Sequence, residues 1–232
     1  MYRYLKNIKL TLLNLLLITA FISLGVWQLD RARQKNILLQ ILNQRAALTP
    51  YQAKELVTTA DLRFYPVSLK GKFDNNHVLL LDNKTHQGHV GYEVYIPFHA
   101  QGLTNPILVD RGFLPAGPNR QQLPKASSIV GEITINGILN LPPKYVALGA
   151  MSEPATAQPS PFPMRVEFIN IKALSTLLSQ PLFPYVLSLD PKHPVALPQS
   201  PQATPITPQK HIVYAVQWFA FATTLLVLLV AL

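Results

Sequence analysis

Two uninterrupted apolar runs, one near each end of the chain, constrain what this sequence can fold into more than any other feature. The first, "LTLLNLLLITAFISLGVWQL" (residues 10–29), has Asn14 and Gln28 as its only strongly polar members. At 1.5 Å per residue, about 20 helical residues span roughly 30 Å, the thickness of a bilayer's hydrocarbon. The second, residues 212–232, carries no charge and only Tyr214, Gln217, Trp218, Thr223 and Thr224 as hydrogen-bonding side chains. A cleavable signal sequence competes for the first run, because Ser23 and Gly25 are small enough for a cleavage site. The apolar stretch continues past them, however, beyond the roughly 7–15 residues such a sequence needs. A retained helix is the expectation, and with it a two-span hairpin.

Composition agrees with lipid surroundings. Charged residues make up 13% of the 232 positions, against about 25% in a soluble domain. The formal charge of +9 raises the question of nucleic acid, but the basic residues are scattered and form no stripe interleaved with aromatics. They suit an anionic membrane surface better, and no nucleic-acid partner is expected. The absence of cysteine removes disulfides and zinc fingers and argues against a thiol-based copper carrier, for which three methionines compensate poorly. Arg3, Lys6 and Lys9 precede the first span and Arg31, Arg33 and Lys35 follow it, so the positive-inside rule is close to a tie. Long loops are exported regardless of charge. The expected arrangement is therefore both termini cytoplasmic and the central domain extracytoplasmic.

Between the runs the pattern changes to short β-rich pieces bounded by Gly, Pro or Asn: residues 64–73, 77–83, 91–98, 107–115 and 131–141, with a last strand at 183–190. Ile133, Ile135 and Leu139 recur at a period of two, as a half-buried strand requires. "INIKALSTLLS" (169–179) places Ile171, Leu174, Leu177 and Leu178 at helical spacing. The predicted class is an α+β membrane protein, with two transmembrane helices flanking a mainly antiparallel β-sheet domain. Its parts are a first span at 10–29, an extramembrane domain at 30–210 and a second span at 212–232. The 21 prolines concentrate in a loop at 152–163 and in residues 190–209, which read as a semi-rigid tether back to the second span.

A search for catalytic chemistry finds no G-x-S-x-G elbow, H-E-x-x-H helix or phosphate-binding loop. His86 and His89 are three apart but sit in a turn without a completing carboxylate, so solvated loop histidines are the better reading. Asp110 and Arg111 interrupt an apolar strand. Neighbours on a strand face opposite sides, so one must face the core and find a partner, as a structural ion pair or backbone anchor. At the end of the first span Gln28, Arg31 and Lys35 fall within about 60° on a helix, with Trp27 four residues before Arg31. This is either an ordinary interfacial Trp with snorkelling cations or an amide-bearing cationic face suited to carboxylates. In the second span His211, Trp218, Tyr214, Phe221 and Gln217 share an arc of about 120°. Gln217, nearly two turns in, needs a hydrogen-bonding partner. From the residues alone, His211 is as well explained by the membrane interface as by ligation of haem iron.

"LGVWQLDRARQK", "GYEVYIPF", "ILVDRGFLP" and "HIVYAVQWFAFA" occur in that order between the two spans. Together they resemble the surfeit locus protein 1 family of cytochrome c oxidase assembly factors. The resemblance implies a non-enzymatic membrane protein that assists maturation of the oxidase catalytic subunit, with the haem a synthesis machinery as a further possible partner. It implies transient binding of haem a, with His211 as the axial ligand to iron. Trp27, Gln28 and Arg31 correspond to the family's first-span motif, and Tyr214, Gln217 and Trp218 complete that of the second. A span starting within ten residues of Met1 leaves no room for a mitochondrial presequence, so a bacterial inner-membrane protein is expected. Two rival classes stay open: a scaffold that contacts the oxidase without haem, and a membrane-anchored periplasmic enzyme with an unrecognised site.

Overall fold

Helix formers continue past the first apolar run. From Asp30 to Ala46 the chain holds neither Gly nor Pro and is rich in Arg, Gln, Lys, Leu and Ala, so nothing stops a helix at the expected boundary of residue 29. In the computed structural model, which describes residues 2–119, 122–143, 162–199 and 207–231, helix α1 accordingly runs from Tyr2 to Ala46. At 45 residues it is about 67 Å long. Helix α4 covers Pro208–Ala231 and starts four residues earlier than the apolar run. Pro208 suits a first-turn position, where its missing N–H removes no helix bond. The chain divides into two compact units: residues 1–43 with 203–232, which contain these helices, and residues 44–202.

The second unit contains the short helices α2 (Ala53–Leu56) and α3 (Ile171–Leu177). Its strands are β1 (Pro66–Phe73), β2 (Leu79–His86), β3 (His89–Ala100), β4 (Ile107–Pro115), β5 (Ile133–Asn140), β6 (Met164–Val166) and β7 (Val186–Leu189). They form one sheet in the order β1-β5-β7-β4-β3-β2-β6, and β1 also pairs with β3. That extra pairing, Gly71 opposite Ala100 and Phe73 opposite Phe98, closes five strands into a ring. The long β3 makes closure possible: one of its edges pairs with β4, and the other is shared between β2 and β1. Pairing is antiparallel except at β4–β7 and β2–β6.

Strand alternation sorts the side chains between two cores. Val67, Leu69, Val94, Ile96, Ile107, Val109, Ile135 and Leu139 belong to the inner one. Leu79, Leu81, Tyr95, Leu108 and Val186 point the other way, where Leu174 of α3 joins them. Ile135 and Leu139 thus share the inner face as their period of two required.

The proline-rich segment expected to be a tether behaves differently over residues 190–199. Leu197 donates its N–H to the Arg111 carbonyl at 2.6 Å, and Phe113 donates to the Pro198 carbonyl at 2.6 Å. Val195, Ala196 and Leu197 pack on the inner core. Prolines prevent a regular strand here, yet the free N–H groups between them still find the edge of β4. Residues 200–206, and nearly all of the 152–163 loop, lie outside the described residues.

Candidate functional site

In the first unit, over residues 8–35 of α1, the half-buried and buried positions are Asn14, Ile18, Phe21, Gly25, Gln28, Ala32 and Lys35; those of α4 include Pro208, His211, Ala215, Trp218, Ala222, Leu225 and Leu229. Both sets alternate steps of three and four, the spacing of a left-handed helix pair. The pair is antiparallel: Gln28 meets His211, and Phe21 meets Trp218 and Phe221. Gly25 leaves room in the seam for a side chain of α4. A Cβ at Gly25 would lie 2.5 Å from the Phe219 ring. The variant Gly25→Leu should therefore part the helices. Because the chain has no cysteine of its own, disulfide yield between Ile18→Cys and Ala222→Cys measures this directly, and a several-fold drop is expected.

Gln28 and His211 form the polar centre of the seam. The His211 Nδ1 lies 2.7 Å from the Gln28 Oε1, and His211 is only 8% exposed. A side-chain amide oxygen only accepts, so Nδ1 carries a proton, and in the neutral ring that leaves the lone pair on Nε2. Such a hydrogen bond on one ring nitrogen is how proteins orient a histidine whose other nitrogen ligates a metal. Beneath it, Phe21, Trp218 and Phe221 form a cluster with centroids 5.6–5.9 Å apart.

The remaining expected residues are not in the seam. Arg31 is exposed; its guanidinium lies over the Trp27 ring at 5.4 Å and donates to Gln34 Oε1 at 3.0 Å, and Gln34 in turn donates to Asp30 Oδ2 at 2.7 Å. Gln28, Arg31 and Lys35 therefore do not act as one face: Gln28 and Lys35 turn toward the seam and Arg31 to the side. Tyr214 and Gln217 are likewise exposed on α4. For antiparallel helices joined along this seam, a 100° step per residue puts Trp27 and Arg31 on the same flank as Tyr214, Gln217 and Phe221. The site thus has a buried polar centre and a polar, aromatic flank. Phe21 was not singled out from sequence and Gly25 only as a small residue suited to a cleavage site, although the steps 18, 21, 25, 28 and 32 carried the signal.

In the second unit Arg111 is 2% exposed and acts as a backbone anchor. Its Nε donates to the Val195 carbonyl (3.0 Å), Nη1 to the Ser127 carbonyl (2.8 Å) and Nη2 to the Ser127 hydroxyl (3.1 Å). Asp110 faces the opposite side of β4. Its Oδ1 accepts from the Gly112 N–H at 2.9 Å, and its Oδ2 lies 3.4 Å from the Tyr95 hydroxyl, which is also 3.4 Å from Glu93. Burial, and then the Glu93 carboxylate, push the Asp110 carboxyl up to about 7. Lys84 balances Glu93 at 2.8 Å. His86 and His89 pair across the β2–β3 hairpin rather than lying in an open loop, and the His86 ring rests against Phe113. Among the described residues no group of three His, Cys, Asp or Glu side chains could hold a metal ion.

These features define a membrane protein in which two long apolar helices flank a β-rich domain. The chain belongs to the SURF1 family, whose model matches residues 15–223. It is similar to surfeit locus protein 1 of Mus musculus, 29% identical over 138 residues, which cover 53% of this chain and 45% of the mouse protein. The similarity to the Homo sapiens protein of the same name is 24% over 230 residues, 90% of this chain and 72% of that one. The chain thus aligns with a little under half the length of the mouse protein and of its rat counterpart.

Proposed function

We propose that this protein is a non-catalytic assembly factor for the catalytic subunit of cytochrome c oxidase, and that its helix pair holds haem a transiently before insertion. The observation that supports this most is the 2.7 Å bond from His211 Nδ1 to Gln28, which orients the ring so that, in its neutral form, Nε2 is the ligand nitrogen. The haem, as cargo, brings an iron that accepts such a nitrogen and two propionates that seek cations. Arg31 lies three residues beyond Gln28 toward the C-terminal end of α1, about 4.5 Å along the axis, and suits a propionate. Trp27 holds the guanidinium there. Phe21, Trp218 and Phe221 offer an apolar aromatic wall. One histidine and one surface cation make a site of moderate strength, as a carrier must have to release its load. The proposed setting is a bacterial inner membrane, with the β-rich domain periplasmic and both termini cytoplasmic. There that domain meets the oxidase subunit, and the haem a synthesis machinery is a candidate donor.

The test is the absorption spectrum of the full chain purified from cells that make haem a, beside that of His211→Ala. The expected result is a haem band that the variant loses. Equal haem content in both would remove His211 as the ligand, and no haem in either would favour a scaffold.

A further inference from the structure

Most of the hydroxyl and amide side chains within the two spans are satisfied locally. Asn14, Thr19, Ser23, Thr223 and Thr224 each donate to the carbonyl four residues earlier, and Gln28 pairs with His211. Gln217 is the one side-chain amide at depth, among the described residues, without such a bond: it is exposed and has no hydrogen-bonding partner there, whereas the indole of neighbouring Trp218 turns into the seam. An amide facing hydrocarbon without a partner is costly, and in membrane helices it marks a position that binds something. Among the described residues the Tyr214 hydroxyl and the Trp27 indole N–H on that flank also have no hydrogen-bonding partner, and both lie nearer the surface.

The position of Gln217 specifies the kind of partner. Six residues separate it from His211, about 9 Å along α4. That is more than the distance from the iron of a haem to its edge, and the length of a glutamine side chain spans the difference. Arg31 lies on the opposite side of the His211 level, toward the surface. With propionates near Arg31, the opposite porphyrin edge comes within reach of the Gln217 side chain. This edge carries the substituents that distinguish haems: vinyl groups in protohaem, and in haems o and a an alkyl group whose first carbon bears a hydroxyl. A vinyl group can neither donate nor accept a hydrogen bond, whereas a hydroxyl can do both with an amide.

We propose that Gln217 is a specificity-determining residue that hydrogen-bonds the hydroxyl on this alkyl chain, so that the site selects hydroxyalkylated haems over protohaem. The inference rests on the haem-binding reading above. It assigns the selectivity to one amide rather than to the farnesyl tail or the formyl group.

Iron haematoporphyrin tests this, because it carries hydroxyethyl groups in place of the vinyls of iron protoporphyrin and has neither farnesyl nor formyl. Absorption titrations of both compounds into the full chain in detergent give a ratio of affinities for the wild type, Gln217→Leu and Tyr214→Phe. The wild type is expected to favour the hydroxyethyl compound about tenfold, a difference Gln217→Leu abolishes and Tyr214→Phe retains. An equal ratio in wild type and Gln217→Leu, or a ratio lost only in Tyr214→Phe, overturns the assignment. If wild type and His211→Ala bind both compounds equally, the haem site itself fails and the selectivity falls with it.

Discussion

Arg111→Ala is expected to lower the stability of the β-rich domain by about 3–4 kcal/mol and to release residues 195–199 from the edge of β4. The guanidinium makes three charge-assisted hydrogen bonds to two separate segments, each of a kind worth roughly 1.5–3 kcal/mol. Relief from keeping a cation at 2% exposure offsets part of that sum, and the cavity left by the side chain adds to the loss. Arg111→Lys should rescue little, because a single ammonium cannot reach both Val195 and Ser127 in the guanidinium's forked geometry. Hydrogen exchange separates this from general loosening. The amides of Phe113 and Leu197, held by the Pro198 and Arg111 carbonyls, should lose protection first. Uniform loss across all seven strands would count against a clamp.

The second large effect is a pH dependence. The Asp110 carboxyl has a pKa near 7 in the folded protein, against 3.8 for the free group. The folded state therefore binds this proton more tightly than the unfolded one. Its contribution to stability is greatest below about pH 4, declines as pH rises, and is fully lost above about pH 7. The difference of about three pKa units is worth up to about 4 kcal/mol, an upper bound because the residue keeps some access to water. Asp110→Asn should make the protein more stable than the wild type at pH 8 and equal to it near pH 4, since an amide oxygen can still accept from Gly112. Denaturant melts from pH 4 to 8 check this. Parallel curves would mean that Asp110 is ionised throughout.

Local pattern and long-range pairing were legible to different degrees. Residues 107–115 were bounded correctly because an apolar run between Pro106 and Ala116 leaves little choice. The 171–177 helix announced itself through Ile171, Leu174 and Leu177. Ring closure did not, because contact between Gly71 and Ala100 depends on how far β3 outruns β2, and no local residue records that. Strand β6 has three residues, too few for any period. The extension of α1 to Ala46 was missed because charge was read as the end of a span, whereas helix propensity ignores that boundary. For the site, residue types and arcs were readable. The bond between Gln28 and His211 crosses 183 positions of sequence, and the separation of seam from flank follows only once that bond sets the pairing.

Strand β7, Val186–Leu189, lies between β5 and β4 and is the last strand among the described residues. During synthesis the earlier strands can assemble only as an open sheet, β5-β1-β3-β4, with two unpaired edges facing a gap. Exposed edges of that kind invite pairing with other chains. The gap stays open until residue 189 has been made, shortly before α4 begins at Pro208. A nascent chain cut short before this strand would retain every edge-bearing strand and lack the wedge that seals them, so truncations upstream of Val186 should be far more prone to aggregation than those just after Leu189.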